Sequence, residues 1–116
     1  MFDQCLYFNT TALARVLERE WTRAFKPFGL TPAQAFMLRA VLLQPGMLQS
    51  QLAKELVIQR PTATRVLDGL QNLGLVERRP TSNDGRGRVQ PGGRRHQQHA
   101  YHARLIFFYL TSCIPN

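Results

Sequence analysis

Apolar side chains recur at three- and four-residue intervals through the first two thirds of the chain, and the recurrences mark out successive helices. From about Cys5 to Phe25 the recurring set is Leu6, Leu13, Val16, Leu17, Trp21, Ala24 and Phe25, which predicts one long helix ended by Pro27 and Gly29. A leading helix this apolar has more to bury than a small domain offers. Part of its face is therefore expected against another chain, with coverage of the domain's own core as the alternative. Thr31-Pro32-Ala33-Gln34 opens a second helix, with threonine as cap, proline at the first position and glutamine placed to complete a capping box. Phe36, Met37, Leu38, Ala40, Val41, Leu42 and Leu43 make that helix apolar nearly all round, so burial on most sides is expected until Gln44-Pro45-Gly46 stops it.

The stretch from Met47 to Arg86 organises the rest. A helix over Leu48–Leu56 sets Leu48, Leu52, Ala53 and Leu56 on one side and turns Gln49, Ser50, Gln51, Lys54 and Glu55 outward. After a turn at Val57–Gln59 another helix begins at Arg60, with Pro61 in its first turn, where the missing N–H costs nothing. Gln59 at the cap position is a poor cap. The apolar side is Ala63, Val66, Leu67, Leu70 and Leu73; opposite it run Pro61, Arg65, Asp68 and Asn72, flanked near the start by Arg60, Thr62 and Thr64. Short hydroxyls and arginines crowded at one helix start suit base edges and phosphates in a major groove. Gly74 ends the helix, Leu75–Arg79 alternates like a short strand, and Pro80–Gly87 is rich in turn formers. Two short helices, a tight turn and an arginine-rich hairpin outline a winged helix-turn-helix. The expected fold is mainly α with a small β-hairpin: an N-terminal helix over 1–30, a winged helix-turn-helix domain over 31–90 and a basic tail over 91–116.

LAKEL, RPTATRVLDGLQNLGLVERRP and the Asp84-Gly85-Arg86 tip, in that order and spacing, resemble the multiple antibiotic resistance regulator (MarR) family of bacterial transcription factors. The resemblance runs from about Cys5 to Arg86. It implies a DNA-binding regulator, repressing by preference, that dimerises through its leading helix on double-stranded DNA carrying a pseudo-palindromic operator. It also implies that Arg60, Thr62, Thr64 and Arg65 read bases or touch phosphates, joined by Gln49 and Ser50 from the preceding helix. Arg78 would touch backbone at the base of the wing, and Arg86, oriented by Asp84, would enter the minor groove. Cys5, in QCLYFN, resembles the peroxide-sensing cysteine of one branch of the family, which needs an exposed thiolate. The alternative is a small buried hydrophobe. Tyr7 and the other aromatics of the leading helix are expected in the core rather than around a small-molecule effector.

With 116 residues, the chain has room for one compact domain. Its formal charge of +8 is uneven: Arg78–Arg104 holds seven arginines against Asp84 alone, whereas residues 1–77 hold eight bases and six acids. Such a block favours a polyanionic partner, although charge by itself does not choose duplex DNA over RNA or anionic lipid. The sequence shows no signal peptide and no apolar run long enough for a membrane, which leads to the expectation of a cytoplasmic protein. Two distant cysteines make no disulfide framework.

Beyond Arg86 the text changes to GRVQPGGRRHQQHAYHARL, with little apolar periodicity, and only Ala100–Ser112 has helical character. The family pattern of long C-terminal helices is missing, which motivates the hypothesis of a frameshift near Gly87. His96, His99 and His102 with Cys113 have the donor types for zinc, but no second cluster accompanies them, and an arbitrary polar tail is the preferred reading. Glycines and carboxylates form no phosphate loop or acid–base pair, so neither an enzyme nor a cofactor is expected. Two alternatives stay open: a truncated regulator defective in dimerisation, and a winged helix that binds protein.

Overall fold

The leading apolar periodicity becomes α1 (Leu6–Phe25), with Cys5 as its N-cap residue in extended backbone. A single 3-10 turn, Lys26–Phe28, follows and contains Pro27. The computed structural model describes residues 1–81 and 87–93, and the chain divides into two compact units, Met1–Pro32 and Ala33–Asn116. In the first unit only Phe25 and Leu30 are buried, with Trp21 stacked on Phe25 at 5.5 Å between ring centroids. The aromatics at the start of the helix are not core residues, contrary to expectation. Tyr7 is 79% exposed, and Leu6, Leu13, Val16 and Leu17 also face outward. One amphipathic helix has a single apolar stripe to hide, and here most of that stripe remains uncovered within the chain.

The second unit contains α2 from Ala33 onward (the helix is Pro32–Leu43), β1 (Met47–Leu48), α3 (Gln49–Glu55), α4 (Arg60–Asn72), β2 (Val76–Arg79) and β3 (Arg88–Pro91). Its core is Ala35, Met37, Leu38 and Val41 of α2, Leu52 and Ala53 of α3, Ala63, Leu67 and Leu70 of α4, and Val76 and Val89 of the sheet. Burial of α2 is one-sided, which corrects the expectation of burial on most sides. Phe36 and Leu43 are exposed and border an apolar hollow of about 260 Å³ that Met47 and Leu56 also line.

Two further corrections concern the sheet. The helix expected from Leu48 begins one residue later, because Met47 and Leu48 pair antiparallel with Val89 and Arg88. The Leu48 N–H is then bound by the Gln51 side-chain oxygen at 2.9 Å, so Gln51 reaches back to the helix start. The second correction is β3, which lies beyond the point where the sequence pattern breaks. It occupies the middle of a three-stranded antiparallel sheet, order β1-β3-β2, with Val76 opposite Pro91 and Arg79 opposite Arg88. Val89 is fully buried, so the sheet includes residues beyond Gly87. Ala100–Ser112 lies outside the described residues.

Candidate nucleic-acid interface

Helix α4 has the two faces its sequence requires. Ala63, Leu67 and Leu70 are fully buried, while Arg60, Pro61, Thr62, Arg65, Asp68 and Asn72 are exposed. Gln59 makes no side-chain cap bond, as expected of a glutamine, and Pro61 fills the first turn. The far end closes with a full C-terminal motif. Gly74, at φ 74°, donates its N–H to Gln71 O, and Leu75 N–H donates to Leu70 O. Helix α3 ends with the same pair of bonds, Val57 N–H to Lys54 O and Ile58 N–H to Ala53 O, yet the left-handed position is held by a valine at φ 55°. Both helices of the motif are therefore stopped by one device, with the usual residue at α4 and an unusual one at α3.

Between α3 and α4 the described structure brings four of the expected residues together. Gln49 Nε2 donates to Thr64 Oγ1 at 2.7 Å, and Thr64 Oγ1 in turn donates to Arg60 O at 3.1 Å. Thr64, expected to read DNA, thus has its hydroxyl proton committed within the motif, and it orients the Gln49 amide. Gln49, Ser50, Arg60, Pro61 and Thr64 line an open cleft of about 470 Å³, which Arg78 also reaches. Arg60 and Arg65 enter no ion pair among the described residues.

Arg78 is differently placed. From β2 it reaches α4, giving Nε to Gln71 Oε1 at 2.8 Å and one terminal nitrogen to Asp68 Oδ1, and its side chain is only 25% exposed. Gln71 was missed from the sequence, although its position one helical turn after Asp68 on the same side of α4 was the available signal. Arg88 is likewise engaged, with Nη1 donating to Gly46 O at 2.9 Å across the sheet. Asp84 and Arg86 lie outside the described residues, as do His96, His99, His102 and Cys113. Cys5 is a free thiol, exposed within the single chain. Among the described residues no helix is long and apolar enough to cross a membrane.

The fold has counterparts in known proteins. The chain resembles a MarR protein from Peptoclostridium difficile at 20% identity and a TM-score of 0.82, over 97% of this chain and 71% of that one. The M. tuberculosis transcriptional regulator MosR is similar at 26% identity and a TM-score of 0.73, over 100% of this chain and 87% of that one. S. aureus MepR, solved as a DNA complex, is similar at 18% identity and a TM-score of 0.74, over 96% of this chain and 77% of that one. A family model described as MarR family matches residues 28–87, a span that covers more than half of the sequence and includes α2, the α3–α4 pair and the first wing strand. This chain belongs to the MarR family.

Proposed function

We propose that the protein is a sequence-specific DNA-binding transcription regulator, repressing by preference, that works as a homodimer on a pseudo-palindromic operator. The observation that carries this is the N-terminal half of α4, where Arg60, Pro61, Thr62 and Arg65 stand exposed on a helix whose opposite side buries Ala63, Leu67 and Leu70. Such a helix can enter a major groove without unpacking the domain, and its basic and hydroxyl side chains match base edges and phosphates. Gln49 and Ser50 line the cleft beside it at the start of α3 and are assigned backbone or base contacts. The MepR–DNA complex supports the same use of a similar fold. Arg86, with Asp84, is assigned to the minor groove on the family pattern. Cys5 is proposed as the point where an oxidant acts, a role favoured by its exposure.

The test is a selection of random duplexes by the purified full chain at moderate salt, followed by sequencing of the survivors. Enrichment of an inverted repeat with half-sites about 10 base pairs apart is expected. A lone half-site would mean that the reading head works without a dimer, as in a truncated regulator. Survivors without any shared sequence would overturn the reading and favour a protein-binding winged helix.

A further inference from the structure

Asp68 is the one acid on the exposed stripe of α4, where a carboxylate facing DNA would repel phosphates. It is half exposed, yet it is not an isolated charge. Its Oδ1 takes the Arg78 guanidinium, whose Nε is taken by Gln71 three residues further along the same helix. One arginine from the first wing strand is thus held at two of its nitrogens by the recognition helix. Planar, two-point capture of this kind fixes direction as well as charge. We propose that Asp68 is a positioning residue for DNA reading. It draws Arg78 out of the pool of phosphate contacts and uses it to fix the wing strand on α4, which raises the ratio of specific to nonspecific binding.

The physical argument turns on what each charge does when the other is removed. As a clamped pair the two are close to neutral from the standpoint of a phosphate, and they release no counterion on binding. Freed from Asp68, Arg78 sits on a short strand beside the α3–α4 cleft it already lines, with reach to any backbone that lies there. It then attracts every duplex equally, since phosphates carry no sequence. The wing strand meanwhile loses its tie to the reading helix. Nonspecific affinity rises as discrimination falls.

This inference rests on the DNA-reading proposal above, and the experiment separates the two. Binding of the full chain to its selected operator and to a random duplex is measured against salt for wild type, Asp68→Asn and the double variant Asp68→Asn/Arg78→Gln, with unfolding curves as a check on folding. In Asp68→Asn the random-duplex salt slope is expected to steepen by about 0.9 for each protomer bound, equivalent to about 3.5-fold more affinity lost between about 50 and about 200 mM salt for a monomer and about 12-fold for a dimer. Random-duplex affinity at low salt rises and the operator preference shrinks, a gain that damage to the fold does not produce. In the double variant the slope returns to the wild-type value. An unchanged slope in Asp68→Asn overturns the proposal. So does a gain that persists without Arg78, which would make Asp68 act through its own charge. A double-variant slope shallower than wild type by about 0.9 for each protomer bound also overturns it, because Arg78 would then already touch phosphate in the native protein. Wild-type protein that binds no duplex at all would take down the DNA reading itself.

Discussion

Val57 holds a backbone conformation that β-branched residues rarely adopt, with φ at 55° and the residue 90% exposed, so nothing it packs against compensates for the strain. The left-handed conformation costs an ordinary residue about 1–2 kcal/mol, and glycine there would give back about 0.5–1 kcal/mol in unfolded-chain entropy. Val57→Gly is therefore expected to stabilise the protein by about 0.5–1 kcal/mol, seen as a higher denaturant midpoint at unchanged m-value. Gly74, in the equivalent place at the end of α4, should behave oppositely: Gly74→Ala is expected to lower stability by about 1 kcal/mol in the same measurement. On the reading face, Arg65→Ala should weaken operator binding by about 1–3 kcal/mol with little change in stability, because its side chain is exposed. Periodicity was enough to place Arg60, Thr62 and Arg65, since one turn of helix decides which side each faces. It was not enough for Thr64 or Arg78. Their partners, Gln49 and Asp68, stand 15 and 10 residues away along the chain, and a hydrogen bond across a turn or from strand to helix leaves no periodic trace.

Among the elements, the helices were legible because each has enough turns to repeat its pattern. The boundaries of α1, α2 and α4 fall within about two residues of those expected, the usual fraying of helix ends. β3 was not legible. It is four residues long, and of Arg88, Val89, Gln90 and Pro91 only Val89 is fully buried, so it offers no alternation to read. Its identity as a strand comes from its neighbours, since β1 and β2 both pair with it. Gly92 shows how closely the hairpin then closes: a Cβ there would lie 2.3 Å from the carbonyl oxygen of Gly74. Removing the one inward side chain of this strand should be felt throughout the wing. Val89→Ala is expected to cost about 2 kcal/mol, read as a lowered melting temperature, together with weaker operator binding.

For the whole molecule, net charge overstates the electrostatic contact to be expected with DNA. Of the three arginines on the two wing strands, Arg78 is neutralised by Asp68, whereas Arg79 and Arg88 are exposed and keep their charge. The salt dependence of binding should thus be shallower than the arginine count of the sequence implies, as titrations at several salt concentrations would reveal. The outward apolar residues of α1 make the complementary prediction. Leu13, 59% exposed, is free of the chain's own core, so Leu13→Lys should shift a dimer toward monomer in sedimentation while leaving the helical content unchanged.

The strand order β1-β3-β2 leaves a two-residue strand at one margin of the sheet and Val76-Glu77-Arg78-Arg79 at the other. A margin of two residues is too short to template another chain. On the opposite margin the strand is only four residues long and three of its side chains are charged, which makes it a short, polar edge. The sheet is therefore guarded against growing by strand addition, and copies of this protein meeting at high concentration are steered away from ribbon-like aggregates and toward contacts between helices.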